Sequence, residues 1–315
     1  MTPLLESLLR GLGKLGVIDG LLYAKPTLTD YPKPVLGEQE GNDAIGVALE
    51  TGKPLMVARF GANELRIAAF YDHLLQARPG KNYPRIAIDR LCHNAGFFPV
   101  PQGREPLDRY ARLVISDARE LDVLGVWQRN YEHEMVRRHC PEASLVPLRS
   151  LEPYFFAEPY SRHFAGKKVL VVHPYAESIL KQYREARTKL FPDPLVLPEF
   201  ELITLKAVQS IGAENNGLTD WFMALDSMKS AMDGQDYDIL IVGAGAYGFH
   251  LAAHAKRQGK QAIHLGGATQ ILFGIMGRRW ENHPKIAGWV NDAWTRPSRN
   301  ETPKAAGTVE NGCYW

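Results

Sequence analysis

The sequence predicts an α/β protein, Rossmann-like, with a mostly parallel twisted sheet and helices on both faces, and three observations carry that prediction. Apolar runs of strand length recur along the chain, roughly seven or eight of them. Segments of helical period lie between most of these runs. The stretch 238–280, DILIVGAGAYGFHLAAHAKRQGKQAIHLGGATQILFGIMGRRW, shows the unit most plainly: Ile239–Val242 reads as a buried strand, and Gly243, Gly245 and Gly248 give a GxGxxG turn into a helix through Leu251, Ala252 and Ala255. A second strand follows over 262–265, then Gly266-Gly267 and a helical run over 270–276, so the stretch reads as βαβα.

Taken in order, residues 1–20 place Leu4, Leu5, Leu8, Leu9, Leu12 and Leu15 in a stripe broken by Glu6, Arg10 and Lys14. That is an amphipathic helix, suited to packing on the body, on a partner or peripherally on a membrane; it has neither the basic head nor the cleavage site of a signal peptide. Residues 26–41 read as a connecting arm, with a helix starting at Ala44. Leu55–Ala58 is a strand that ends in Arg59-Phe60-Gly61, with Asn63-Glu64 at a helix start. Arg59, charged at the end of a buried strand, suits an anion or hydroxyl, because open parallel sheets bind ligands at the carboxyl ends of their strands. Glu64 reads either as a carboxylate attracted to a helix N-terminus or as a functional group.

Residues 79–103 carry no assignable pattern; Leu107, Tyr110, Ala111 and Val114 predict a helix, 123–127 a strand and 145–148 a weaker strand. Residues 128–139, QRNYEHEMVRRH, read as a solvated polar face although they directly follow a strand end, and His133 with Glu134 reads as a surface pair or as a base and its orienter. A strand from Lys168 ends in His173-Pro174-Tyr175, and Glu177 and Ser178 enter a helix to about Phe191; His173 reads as a structural histidine or as a catalytic or phosphate-binding one. Strand 200–205, a turn at 215–217 and helix 219–232 complete the series.

Composition excludes several classes. The 315 residues are 45% hydrophobic and 23% charged, an ordinary globule with ample core, and the net charge of +2 argues against a nucleic-acid partner. Cys92, Cys140 and Cys313 are far apart and odd in number, so neither a disulfide framework nor a zinc module is expected, and a reducing, cytoplasmic setting fits. No run approaches the apolar length of a membrane span. NAD is not expected, since the end of the second strand of the glycine unit reads His264-Leu265-Gly266 where a ribose-binding carboxylate belongs. The division expected is 1–43 as helix and arm, 44–297 as the α/β domain and 298–315 as a tail.

Two stretches, RFGANEL at 59–65 and VGAGAYGFHLAAHAKRQGKQAIHLGG at 242–267, resemble the GT-D fold glycosyltransferases. In that family an early strand carries an RFG-Asp-x-Glu-like motif and a late βαβ unit carries a glycine-containing nucleotide turn. The resemblance implies transfer of a sugar from a nucleoside-diphosphate sugar to a glycan, glycolipid or glycoprotein acceptor, as in surface polysaccharide or glycoconjugate synthesis, at the cytoplasmic face of a membrane. It also implies Mn²⁺ or Mg²⁺ with the nucleotide-sugar and Glu64 as the metal-associated carboxylate, although Ala62 stands where the family has Asp. The expected nucleotide-sugar site is Arg59, Gly61, Asn63, Gly243, Gly245, Gly248, Gly266, Gly267, Arg278 and Arg279, and the expected catalytic groups are Glu64, His173 and Glu177. The chemistry is consistent with these types: a departing diphosphate needs positive charge and the acceptor hydroxyl needs a base. Two other classes remain open at this point, an NAD(P) oxidoreductase and a noncatalytic assembly protein using the N-terminal stripe and the aromatics Trp280, Trp289, Trp294, Tyr314 and Trp315, whose tryptophans read equally as core or sugar-stacking residues.

Overall fold

The computed structural model describes residues 25–75, 80–213, 217–303, 306–309 and 312–315, so the leucine stripe and part of the 215–217 turn lie outside the described residues. Seven strands, β1 Leu55–Ala58, β2 Val123–Val126, β3 Ser144–Pro147, β4 Lys168–His173, β5 Glu201–Lys206, β6 Ile239–Val242 and β7 Gln261–His264, form one sheet in the order β3-β2-β1-β7-β6-β4-β5. Every pairing is parallel. β1 and β6 are apolar throughout because both of their faces are covered: Met56 and Ala58 belong to one core cluster, Leu55 and Val57 to the other. β3, on one edge, is short and ends on Pro147, which has no donor to offer another strand.

The helices are α1 Glu38–Glu50, α2 Ala62–Phe70, α3 Arg85–Ala95, α4 Glu105–Ala118, α5 Glu132–His139, α6 Ala176–Leu190, α7 Trp221–Asp233, α8 Gly248–Arg257, and the short α9 Thr269–Leu272 and α10 Pro284–Ala287. Their division between the faces follows from the strand order. The steps β1→β2, β2→β3, β5→β6 and β6→β7 all move toward the β3 edge, and the helices they carry bury residues in the first cluster, such as Leu107, Met135, Trp221 and Leu251. The steps β3→β4 and β4→β5 move the other way and cover the second face with residues such as Tyr160, Phe164 and Ile179. One hand of crossover gives this division. Neighbours β1, β7, β6 and β4 therefore send their following segments alternately to opposite faces, which opens a crevice at their carboxyl ends.

Several sequence expectations change. Residues 79–103 contain helix α3, which stops at Gly96 in the left-handed region (φ 86°). Residues 128–139 are not simply a solvated face: α5 buries Glu132, Met135 and Val136. The first helix starts at Glu38 rather than Ala44, and the run at 270–276 is helical only to Leu272, since Gly274 takes φ 65° and Ile275 then bridges to Thr295. Between α4 and α8, the fully buried Asp117 accepts from His250 Nδ1 and from Arg257 Nη2, each at 2.6 Å. Burial raises the Asp117 carboxyl, but those two hydrogen bonds outweigh it and hold the group below the usual range.

Candidate functional site

The crevice is a cavity of about 480 Å³ whose walls come from the ends of all seven strands and from the C-terminal residues. It brings together Arg59, Gly61, Asn63 and Glu64 after β1, Trp127 and Arg129 after β2, Glu152 after β3 and His173 after β4. Gln209 and Ser210 after β5, Gly243 and Gly245 after β6, and Gly266 and Gly267 after β7 complete the strand-end lining. Arg279, Trp280, Tyr314 and Trp315 close it from the chain's end. Charge is concentrated at the β1–β3 end, whereas the β4–β6 end presents neutral groups.

Arg59 runs across the β7 turn: a Cβ built on Gly266, itself at φ 61°, would stand 2.6 Å from Arg59 Nη2. The absence of a side chain there lets the guanidinium lie against the backbone and reach the Trp127 ring, 5.1 Å from its centroid. Glu64, in the first turn of α2, folds back over Gly61, where a Cβ would meet Glu64 Oε2 at 2.1 Å. Its carboxylate thus lies at the helix entrance and also on the cavity wall.

His173 is buried, and its Nδ1 accepts the backbone N–H of Tyr175 at 3.0 Å. That bond assigns the proton to Nε2, and burial pushes the imidazole down to about 3, so His173 is a neutral hydrogen-bond donor and not a proton acceptor at neutral pH. His264 is buried too, and burial followed by the nearby Arg59 charge keeps it well below the ordinary histidine range. For both, the folded pKa lies below the unfolded value near 6.5, so the unfolded chain binds more protons below that pH. Stability should therefore hold above about pH 6.5 and decline as the pH falls below it, and His173→Gln should flatten part of that decline in chemical denaturation at pH 5 and pH 7.

Three sequence-predicted residues do not reach the cavity. Glu177, expected as catalytic, points to solvent and pairs with Lys206 Nζ at 3.7 Å, because the first turn of α6 carries it to the outer face. The α6 N-terminus is already occupied: the buried Glu301 accepts from Glu177 N at 2.8 Å and from Ser178 N at 3.3 Å, and also from Ser178 Oγ. Gly248 lies behind the wall, where a Cβ would stand 2.6 Å from His264 Nε2. Arg278 is not part of the cavity wall that Arg279 lines.

The remaining glycines touch protein more than open space. A Cβ on Gly243 would meet Gly266 O at 2.3 Å and Thr269 Oγ1 at 2.7 Å, and Gly245 holds φ 50° with Ala95 O at 3.0 Å from its would-be Cβ. A valine at Gly245 would thus strain the turn itself as well as any ligand approach. Gly267 makes room for the Tyr314 ring, 2.5 Å from its would-be Cβ, and Tyr314 O accepts from Gln270 Nε2 at 3.2 Å. Arg279 lies 4.6 Å from the Tyr314 ring centroid.

Glu152, Trp127 and Arg129 escaped assignment to the site from sequence, while Tyr314 and Trp315 stood out there only as C-terminal aromatics. Glu152 follows the weak strand β3 through a short helical turn, Leu148–Leu151, and is partly open to the cavity. Burial pushes its carboxyl up to about 7, against smaller lowering contributions from Tyr154, Arg149 and Arg59. A carboxylic acid poised near neutrality in a cleft is suited to taking up or giving a proton. Trp127 could have been found by the strand-end rule that singled out Arg59.

For a divalent ion the wall offers two carboxylates, Glu64 and Glu152. Among the described residues no group of three or more His, Cys, Asp or Glu is placed to hold a metal. This donor set fits an ion that shares its ligands with substrate phosphates better than one caged by protein alone.

Fold and site together define an α/β protein with a mixed cationic, acidic and aromatic cavity at the carboxyl edge of a parallel sheet. No protein-family model matches the chain, and no curated protein does. Among solved structures, one described as "The highly conserved domain of unknown function 1792 has a distinct glycosyltransferase fold" is similar at 16% identity and a TM-score of 0.41, covering 74% of this chain and 77% of that one. A selenomethionine-substituted structure of domain of unknown function 1792 is similar at 15% identity and a TM-score of 0.42, covering 74% and 78%. Likeness at this level concerns the layout of elements alone.

Proposed function

We propose that this chain is a glycosyltransferase that takes a sugar from a nucleoside-diphosphate sugar and passes it to a glycan-type acceptor, in surface polysaccharide or glycoconjugate synthesis at the cytoplasmic face of a membrane. One observation carries the reading: a single cavity at the sheet's carboxyl edge combines arginines, aromatic rings and a carboxyl group held near neutrality. Glu152, when ionised, takes the proton of the acceptor hydroxyl as its oxygen attacks the anomeric carbon, and the bond from that carbon to the diphosphate breaks. Arg59 and Arg279 offset the charge that builds on the leaving diphosphate, and an Mg²⁺ or Mn²⁺ ion held jointly by Glu64 and phosphate oxygens would add to this when bound. The neutral His173 Nε2–H supplies a hydrogen bond for a hydroxyl group at the other end.

Membrane or partner contact through residues 1–20 belongs to the same proposal. Among the described residues no helix is long and apolar enough to cross a membrane. A thermal-shift screen of UDP-, GDP-, CMP- and dTDP-sugars and NAD(P), with and without Mn²⁺, tests the reading. A nucleotide-sugar donor at a hundredfold excess over Kd should raise stability by about 2.7 kcal/mol. Stabilisation by NAD(P) and by none of the sugar donors would replace the transferase with an oxidoreductase.

A further inference from the structure

The loop from β2 to α5 departs from ordinary backbone at two non-glycine residues, Gln128 at φ 57° and Tyr131 at φ 70°. Such conformations persist only where surrounding structure enforces them, and they concentrate where a side chain must be aimed. The enforcing group is Glu132, fully buried, whose Oε2 accepts from Tyr31 Oη at 2.5 Å, from Trp127 N at 3.2 Å and from Arg129 N at 3.3 Å. Burial raises its carboxyl, which the Tyr31 and backbone hydrogen bonds partly oppose.

The loop aims Trp127 and Arg129 into the cavity. The Arg129 guanidinium lies 3.8 Å from the Trp127 ring centroid, and the Arg59 guanidinium, arriving from β1, lies 5.1 Å from the same centroid. Two cations share one indole, which reduces their mutual repulsion and restricts their rotamers. Among the described residues neither guanidinium forms an ion pair, while twelve other lysine or arginine side chains, Arg257 and Lys256 among them, do. Paired guanidiniums on a cavity wall, with no carboxylate within ion-pair distance, suit a ligand with two adjacent anionic groups.

We propose that Arg59 and Arg129, braced on Trp127 and aimed by the buried Glu132, form a clamp for a diphosphate, which places the pyrophosphate of a donor at the β1–β2 end of the cavity. Trp127 and Glu132 are positioning residues, and the orientation of the donor rests on the transferase reading, whereas the clamp itself does not.

Calorimetry with inorganic pyrophosphate and with orthophosphate, on the full chain, tests the clamp. The wild type should bind pyrophosphate at least about tenfold more tightly than orthophosphate, since both guanidiniums engage only the longer anion. Arg129→Gln should weaken pyrophosphate roughly 10- to 100-fold and remove most of that preference. Trp127→Leu should weaken it similarly, while Trp127→Phe, which keeps a ring face, should recover much of the affinity. Far-UV circular dichroism and Tm on each variant separate a lost clamp from a lost fold. Arg129→Lys, which keeps the charge without the planar fork, serves if Arg129→Gln does not fold, and should bind pyrophosphate more weakly than the wild type. Equal affinity for the two anions, or pyrophosphate binding unchanged in a folded Arg129 variant, overturns the clamp, even if sugar transfer proceeds. Clamp behaviour in a protein that transfers no sugar from any donor would keep the clamp and sink the transferase.

Discussion

Glu152→Gln should lower sugar transfer by roughly 10²- to 10⁴-fold while leaving donor affinity close to that of the wild type. The substitution keeps the size of the side chain and removes the group that takes the acceptor's proton. Wild-type turnover should climb as the pH passes through about 7, where burial has placed the Glu152 carboxyl, and that limb should vanish in the variant. The linkage to stability runs in the direction of a raised acid. Between the unfolded value near 4.5 and the folded value of about 7 the native state binds the extra proton, so ionising Glu152 costs native stability as the pH rises through that interval. The glutamine variant should then be more stable than the wild type at pH 8, by roughly 1 to 2 kcal/mol after allowing for solvent at the cavity mouth. A functional carboxyl commonly costs stability in this way. A variant that transfers sugar normally, with an unchanged pH profile, would remove Glu152 from the chemistry and leave Glu64 as the carboxyl to test.

Glu301→Ala should destabilise the protein by about 3 kcal/mol, with Tm lower by roughly 5 to 10 °C. The carboxylate is 1% exposed and serves the first turn of α6 through Glu177 N, Ser178 N and Ser178 Oγ, and it also accepts from Ser298 Oγ at 2.9 Å. Its removal leaves those donors unsatisfied at a helix N-terminus whose dipole favours negative charge. The effect should extend to the site, because Glu301 fastens the segment that leads to Tyr314 and Trp315, which line the cavity. Donor KM should rise with kcat less affected, and Glu301→Gln, which keeps one acceptor oxygen, should fall between the two in chemical denaturation. A loss within 0.5 kcal/mol for the alanine variant would show that water serves the helix end as well as Glu301 does.

The strands that could be read from sequence are those buried on both faces. Ile239–Val242 and Leu55–Ala58 are apolar at every position because helices cover both sides, and a run of that length is hard to place elsewhere. Helix α5 was obscured because QRNYEHEMVRRH is polar by composition, although Met135 and Val136 are buried and the carboxylate of Glu132 is satisfied by groups as distant in sequence as Tyr31. The cavity was legible in part. Arg59, Asn63, Glu64 and His173 stand out as polar groups at strand ends, and all four line it. Glu177, four residues beyond His173, looked equivalent, but one helical turn separates a cavity-facing position from a solvent-facing one.

Taken alone, the amino-acid sequence determines the α/β class, the parallel βαβ units and the edge of the sheet at which polar groups collect, because these follow from local periodicity and from the covering of both sheet faces. Tertiary structure decided what each of those polar groups and glycines meets. A bare Cα in a GxGxxG turn can admit a phosphate or a neighbouring chain with equal ease; here His264 fills the space at Gly248 and Gly266 that at Gly243. It also decided that an anion-favouring helix end is capped by Glu301 from 124 residues further along the chain, and that partial burial at the cavity wall pushes the Glu152 carboxyl up to about 7. Burial and long-range pairing set these properties, and both depend on the order in which the strands assemble, which no local pattern encodes.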